Sequence, residues 1–201
     1  MSFDVALQIT RGDRRIGVAF QTGPGITVLF GRSGAGKTTM LDMIAGLVRP
    51  DKGHAGVAGR LLYDRGASVN LPPERRRAGY VFQDTRLFPH RRVRANLLYG
   101  ARDASRLEGA ARMLDIAHLL DRWPRTLSGG EARRVAIGRA LLSDPAFLLL
   151  DEPLSSLDAA RAEEVMRALE LLRDETGLPM LLVTHDEGEA ERLGNHRVPI
   201  Y

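Results

Sequence analysis

The feature that most constrains this chain is the segment Gly31–Thr38, GRSGAGKT, which directly follows the apolar run Ile26–Phe30. The run predicts a buried strand, and apolar residues at helical spacing after the glycines predict a helix that continues towards Pro50. A glycine-rich turn between a strand and a helix presents backbone N–H groups and the positive end of the helix dipole. Lys37 can reach β- and γ-phosphates, and the Thr38 hydroxyl suits Mg²⁺. The alternative is a tight glycine turn with an incidental lysine, and the strand–loop–helix context argues against it.

The segment therefore predicts a nucleotide site at the loop and the start of the helix. Its predicted residues are Gly31, Arg32, Ser33, Gly34, Ala35, Gly36, Lys37, Thr38 and Thr39.

Two adjacent acids, Asp151 and Glu152, follow the apolar run Phe147–Leu150. Ligands of open α/β sheets bind at the carboxyl ends of the strands, so these acids are placed to meet the phosphates. Asp151 can hold Mg²⁺, and Glu152 can polarise an attacking water. Acids that simply end a strand in solvent are the alternative, and the phosphate loop upstream argues against it.

The rest of the chain is organised as an α/β protein. Apolar residues make up 44% of the 201 residues, enough for a hydrophobic core, and the longest apolar runs are too short to span a bilayer. The absence of cysteine is compatible with a reducing cytoplasm, and the first residues lack a secretion-signal layout. The net charge of +4 comes from scattered arginines, which fit a solvated surface or an anionic partner. Residues 84–145 are rich in helical patterns, including residues 113–120, and we expect them to form a helical subdomain inserted into a core of residues 1–83 and 146–201.

The segment Leu127–Glu131, LSGGE, separates the possible classes of phosphate-loop protein. Ser128 and Glu131 form the S-x-x-E pattern of a capped helix, and Ser-Gly-Gly at a helix start also offers bare N–H groups to an anion. Together with the phosphate loop and the two acids, the segment resembles the signature of ABC transporter ATPases. The resemblance implies a P-loop NTPase core with a mostly parallel sheet, an inserted α-helical subdomain and N-terminal antiparallel β strands.

The resemblance also implies an ATPase that works as a head-to-tail homodimer with ATP and Mg²⁺ held between subunits. It assigns catalysis to Glu152, His185 and Gln83, and Mg²⁺ to Thr38, Gln83 and Asp151. The signature residues that act on the other subunit's ATP would be Ser128, Gly129, Gly130 and Glu131. Asp158 would belong to a loop that crosses the dimer interface.

Residues 79–100 resemble the corresponding part of the ATPase in molybdate importers. This implies ATP-driven uptake of a small oxyanion, with other importers, such as those for thiamine or sulfate, as alternatives. Integral membrane permease subunits would dock near Gln83–Val93, on exposed Leu87, Phe88 and Pro89, and a solute-binding protein would act indirectly. The alternative is that these three residues pack inside the helical subdomain. The resemblance places the chain peripherally on the cytoplasmic face of the cell membrane.

Several positions depart from the family pattern. Ala132 and Arg133 replace a polar pair after the signature, so we expect weaker helix contacts or nucleotide sensing there. Residues 10–16 contain no aromatic side chain that could stack on adenine. The sequence stops at Tyr201, so we expect the oxyanion-binding regulatory domain of such ATPases to be lacking. A DNA-acting ABC ATPase, which usually carries coiled-coil or zinc-bearing insertions, and a cassette that binds ATP without hydrolysis are competing hypotheses; we expect no nucleic-acid partner.

Overall fold

A computed structural model describes residues 1–200 and shows two five-stranded sheets with helices around them. The strands in chain order are β1 (Phe3–Arg11), β2 (Arg14–Thr22), β3 (Ile26–Phe30), β4 (Lys52–Val57), β5 (Arg60–Asp64), β6 (Val69–Asn70), β7 (Ala78–Val81), β8 (Phe147–Asp151), β9 (Met180–Thr184) and β10 (His196–Pro199). The helices are α1 (Lys37–Ala45), α2 (Pro73–Arg76), α3 (Val93–Leu97), α4 (Leu107–Met113), α5 (Gly129–Leu142), α6 (Ala159–Thr176) and α7 (Glu187–Leu193). Short 3₁₀ turns lie at Ala104–Arg106, Ala117–Leu119 and Pro124–Thr126.

One sheet is parallel and carries the predicted site at its edge. Its strand order is β10-β3-β9-β8-β7, and every neighbouring pair runs parallel. The other sheet is antiparallel, in the order β2-β1-β4-β5-β6. The α/β class, the parallel sheet and the N-terminal antiparallel strands predicted above are confirmed, and the antiparallel sheet extends to Asn70.

The three inner strands of the parallel sheet, β3, β9 and β8, are buried on both faces, as their continuous apolar runs predict. On β8, Phe147 and Leu149 pack with α1 and β1, whereas Leu148 and Leu150 pack with α5 and α6. All four side chains are fully buried. Burying a side chain of this size contributes about 1.5–3 kcal/mol, so the two cores hold the strand that ends in the acids from both sides.

Helix α1 is shorter than its apolar pattern indicates. It ends at Ala45, because Gly46 adopts φ +84° and turns the chain, and Leu47 lies outside the helix with 52% exposure. The buried Arg76 guanidinium donates to the carbonyls of Met43 and Ile44 at 2.8 and 2.9 Å. These bonds satisfy acceptors that the helix end leaves free, and they hold the far end of the helix that begins at Lys37.

Between β7 and β8 the chain is helical, as predicted, but residues 113–120 are not one helix. Helix α4 ends at Met113, and Asp115 has φ +51°, which breaks the helical path. The apolar side chains of Ile116 and Leu119 are fully buried all the same. No helix within residues 1–200 is both long and apolar enough to cross a membrane.

Candidate functional site

The predicted phosphate loop lies between β3 and α1. Gly34 and Gly36 have φ +80° and +90°, a region that glycine enters without strain. A Cβ on Gly36 would lie 2.5 Å from the Ile16 side chain, so this position also needs glycine for space. The Lys37 ammonium is buried under the loop and donates to the carbonyls of Gly31 and Arg32 at 2.8 and 2.9 Å. The loop therefore curves around a cation at the start of a helix, where negative groups are stabilised.

Glu152 is the centre of the candidate site. Its carboxylate lies 3.8 Å from Lys37 Nζ, 3.4 Å from His185 Nδ1 and 3.5 Å from Gln83 Nε2. The structure thus brings together four residues that are spread over about three quarters of the sequence. Glu152 has φ +44°, a left-handed conformation that costs of order 1–3 kcal/mol for a residue with a Cβ. Such strain is typical of a side chain that the surrounding structure aims at a site.

Asp151 and Thr38 face each other across the same edge. The Thr38 hydroxyl donates to Asp151 Oδ1 at 3.1 Å, and Asp151 is only 3% exposed. A hydroxyl and a buried carboxylate beside a phosphate loop are oxygen ligands of the kind that Mg²⁺ prefers. These residues fit the predicted ion.

Burial raises the pKa of the Asp151 carboxyl; the bond from Thr38 opposes this shift, and Glu152 and Asp42 add to it. The folded chain therefore binds this proton more tightly than the unfolded chain does. In metal-free solution, stability is then lost as the pH rises from about 3.9, the ordinary pKa of Asp, through the raised folded value.

We therefore expect Asp151→Asn to raise the free energy of unfolding at pH 7 by about 1 kcal/mol in metal-free buffer, because it removes a buried charge. The gain should shrink as the pH falls and should vanish well below about 3.9, where the native carboxyl is protonated in both the folded and the unfolded chain. Thermal unfolding with a chelator checks this, with the exposed Asp13→Asn as the control. Equal stability of Asp151→Asn and the native chain at pH 7 would contradict it.

The loop after β7 positions Gln83 and is held from α5. Arg133 Nη1 donates to the carbonyls of Phe82 and Gln83 at 2.9 and 2.8 Å. The expectation that Arg133 weakens helix contacts is therefore wrong, because its long side chain reaches a loop that the sequence places 50 residues away. Within β7 itself, the Tyr80 hydroxyl donates to Asp42 Oδ1 at 3.0 Å, which links this strand to α1.

The signature segment forms the capped start of α5, as predicted. The Glu131 amide donates to Ser128 Oγ at 3.2 Å, and the Ser128 amide donates to Glu131 Oε2 at 2.6 Å. A Cβ on Gly130 would lie 3.2 Å from the Arg161 Cβ, which places this helix start against that of α6. The Glu131 carboxylate also accepts from Arg122 Nη1 at 3.3 Å.

Asp158 and His185 are the two remaining residues that were predicted to belong to the site. Asp158 caps α6 by accepting from the Arg161 amide at 3.0 Å and is exposed. His185 directly follows β9 and its side chain is 55% exposed, with the ring turned to Glu152. Their assigned roles in a dimer interface and at the γ-phosphate stay predictions.

The region from Gln83 to Val93 differs in part from its prediction. Leu87 is half-buried and packs against the core of the helical region, so it is not the exposed contact that we expected. Phe88 is also half-buried, against Tyr99 with ring centroids 4.5 Å apart, whereas Pro89 is exposed. The alternative of packing within the helical region is therefore right for Leu87.

One residue near the phosphate loop was missed from sequence. Arg14, at the start of β2, donates from Nη2 to the Gly34 carbonyl at 3.0 Å. A basic residue in a hairpin that also carries Arg11 and Arg15 gives no local signal of this contact. It follows only from the way the antiparallel sheet brings the hairpin over the loop.

A buried lysine under a glycine loop, paired acids at a parallel sheet edge and a capped LSGG helix define an ATP-binding cassette. The chain belongs to the ABC transporter family, since the model of that family, described as ABC transporter, matches residues 16–155.

Curated relatives are similar over nearly the whole chain. A "Molybdenum import ATP-binding protein ModC" of Brucella melitensis is 52% identical over 199 residues, which cover 96% of this chain and 55% of that protein. Proteins with the same description from Photobacterium profundum and Rhizobium meliloti are 53% and 48% identical, covering 88% and 98% of this chain and 50% and 57% of theirs. The chain thus spans about half the length of the curated relatives that it matches.

Solved structures have the same fold. The structure of cbiO1 from Clostridium perfringens, part of the ABC transporter complex cbiONQ, has a TM-score of 0.85 at 25% identity. The match covers 100% of this chain and 85% of the cbiO1 chain. The "Dimeric Structure of MJ0796, a Bacterial ABC Transporter Cassette" has a TM-score of 0.75 at 27% identity, over 99% of this chain and 93% of that one.

Proposed function

We propose that this chain is the ATP-hydrolysing subunit of an ABC importer that takes up molybdate or a related oxyanion. The observation that carries the ATPase assignment is the contact of one strained carboxylate, Glu152, with Lys37, Gln83 and His185. The family membership of residues 16–155 supports it.

The chemistry follows from where these side chains lie. Lys37 binds the β- and γ-phosphates, and the loop N–H groups orient them. Glu152 takes a proton from water as the water oxygen bonds to the γ-phosphorus and the bridging P–O bond breaks, which leaves ADP and phosphate. Gln83 and His185 orient the water and the γ-phosphate beside this carboxylate. Mg²⁺, held by Thr38, Asp151 and Gln83, would neutralise charge on the phosphates.

The signature side of the reaction needs a second chain. Ser128 and Gly130 present a helix start that can bind phosphate, whereas the chain's own Lys37 contacts Gly31, Arg32 and Glu152. A head-to-tail homodimer places this helix start, with Asp158 nearby, on the ATP of its partner. The dimeric structure of the MJ0796 cassette supports assembly as a dimer.

Permease subunits have a suitable docking surface beside this site. We call it the arginine–aromatic groove, a cavity of about 450 Å³ between the sheet and the helical region. It is lined by Ala78, Gly79, Tyr80, Arg86, Phe88, Tyr99, Gly100, Arg139, Ala140 and Ser143. The Arg139 guanidinium lies 5.3 Å from the Phe88 ring, and that of Arg91 lies 5.4 Å from the Tyr99 ring. An apolar floor with a cationic rim suits a short helix that carries apolar and acidic side chains.

We expect Tyr99→Glu to lower co-purification with the membrane subunits at least about tenfold, or ~1.4 kcal/mol. The introduced carboxylate would pair with the rim arginines that the partner otherwise uses, and Tyr99 is 51% exposed, so the fold should tolerate it. Phe88→Glu should act in the same direction. Leu61→Glu, which changes a large hydrophobic side chain of similar exposure (41%) on the other sheet, is the control. Equal co-purification of Tyr99→Glu and Leu61→Glu would remove the groove from the proposal.

The solute assignment rests on the ModC relatives at 48–53% identity. We further propose that the chain lies peripherally on the cytoplasmic face of the membrane and that a solute-binding protein acts through the permease. Co-purification of the native chain from membranes, followed by ATP-dependent uptake of labelled molybdate, sulfate and thiamine into vesicles holding the complex, tests it. Uptake of molybdate alone supports the proposal; uptake of thiamine alone contradicts the solute, and absence of ATP hydrolysis contradicts the whole function.

A further inference from the structure

The loop after β7 is fastened to α5 by two arginine side chains. Arg133 Nη1 donates to the carbonyls of Phe82 and Gln83 at 2.9 and 2.8 Å. Further along the helix, Arg139 donates to two more carbonyls of the same loop, at 2.8 and 3.1 Å. The loop backbone is therefore held in place by α5, the helix that begins at the signature, as well as by strand β7.

Of these two arginines, Arg133 is the one that bonds to the backbone of Gln83 itself. It is 5% exposed, and burial lowers its pKa, while Asp84 and Asp151 act in the opposite direction. One nitrogen that donates to two consecutive carbonyls restrains the peptide between Phe82 and Gln83. The side-chain amide nitrogen of Gln83, Nε2, lies 3.5 Å from Glu152 Oε2.

The same helix begins at the signature. Arg133 lies five residues after Ser128, the residue that caps α5. This is about one and a half helical turns, or roughly 7 Å along the axis. A short segment of α5 thus connects the signature, which would contact the partner's ATP, with the loop that contains Gln83.

We propose that Arg133 is a positioning residue, which sets Gln83 against Glu152 and transmits the position of the signature helix to that carboxylate. The inference rests on the ATPase function proposed above. The Arg133 guanidinium links α5 directly to the carbonyls of Phe82 and Gln83. A shift of α5 therefore moves these carbonyls and the Gln83 side chain with them. Misplacement of a reacting group by about 1 Å can cost on the order of 100-fold in rate, so such a link controls turnover rather than ATP binding.

Arg134 provides a matched comparison. It is the next residue of α5, it is also 5% exposed, and within residues 1–200 both arginines have a buried Nε without a hydrogen-bond partner. Its other nitrogens bond to the Leu114 and Asp115 carbonyls and to Glu164, not to the Gln83 loop. Changing either arginine to Met removes the same buried cation, but only one change releases the loop.

The test is a double-mutant cycle with Gln83→Ala. We expect Arg133→Met to lower kcat for ATP at least about tenfold with KM changed less than about twofold, and to have no further effect in the Gln83→Ala chain. Arg134→Met should lower kcat by the same factor in both backgrounds, as a loss of packing does. If Arg133→Met also acts equally in both backgrounds, or leaves kcat unchanged, the inference is overturned.

Two measurements keep the test decisive if Arg133→Met does not fold. Arg133→Lys retains a donor, and we expect a smaller loss of kcat that again vanishes in the Gln83→Ala chain. Hydrogen exchange of residues 82–86, measured without nucleotide, should be faster in Arg133→Lys and unchanged in Arg134→Met. Equal exchange in both variants overturns the inference. If Glu152→Gln keeps full turnover, the proposed function fails first; if it loses turnover while the cycle is additive, only the role of Arg133 fails.

Discussion

Glu152→Gln is expected to lower ATP hydrolysis by roughly 10²–10⁴-fold, the contribution of a general base, while ATP stays bound. Glutamine has the same reach towards Gln83 and His185 but cannot accept the proton of the attacking water. Removing the negative charge beside Lys37 should also favour the triphosphate. The variant should therefore accumulate as an ATP-bound dimer, which phosphate release and light scattering with ATP would show.

The control is Glu175→Gln, an exposed carboxylate near the end of α6, which should keep normal turnover. A Glu152→Gln chain that stays monomeric with ATP, or hydrolyses it at the native rate, would remove Glu152 from its assigned role. The positive φ of Glu152 does not complicate the comparison, because Glu and Gln share the same backbone preferences there.

The second large effect concerns the composite site. Gly130→Asp is expected to reduce hydrolysis about 10²–10³-fold, because it places negative charge and a Cβ at a helix start that would stabilise phosphate. The Arg161 Cβ lies only 3.2 Å from that new Cβ, so the two helix starts must also separate by a few tenths of an ångström. Lys37→Ala should abolish activity by a different route, through loss of phosphate binding.

Mixing the two inactive chains should restore activity if each site combines two subunits. In a head-to-tail dimer of Lys37→Ala with Gly130→Asp, one site has an intact loop and an intact signature. Random pairing at equal concentrations then gives about one quarter of the native rate, for sites that act independently in a symmetric dimer. A mixture as inactive as its components would argue that each chain works alone. Mixing Lys37→Ala with Glu152→Gln serves as the control, because both changes damage the loop side and no intact site can form.

Much of the fold could be predicted because it follows from short stretches of chain. The apolar runs Ile26–Phe30 and Phe147–Leu150 match β3 and β8 to within a residue. A strand that is buried on both faces is a continuous apolar run, so it can be recognised in the sequence without knowledge of its neighbours. The S-x-x-E cap of α5 is local in the same way. The early end of α1 could also have been predicted from Gly46, because glycine commonly ends helices in the left-handed conformation.

Burial and long-range contacts could not be predicted. Leu87 lies in a polar, proline-containing stretch that indicates a surface, and its packing depends on helices that follow later in the chain. Arg133 was expected to weaken helix contacts. Its partners, the carbonyls of Phe82 and Gln83, could not be predicted because they lie about 50 residues away and backbone carbonyls carry no sequence signature.

By itself, the sequence therefore determined the phosphate loop, the paired acids, the capped signature helix and the α/β class, since each depends on residues that are neighbours along the chain. Tertiary structure alone decided that Lys37, Gln83 and His185 meet at Glu152, and that Arg133 holds the loop behind them. The reason is geometric: parallel strands bring their carboxyl ends to one edge, and which side chains then touch depends on how helices pack across that sheet.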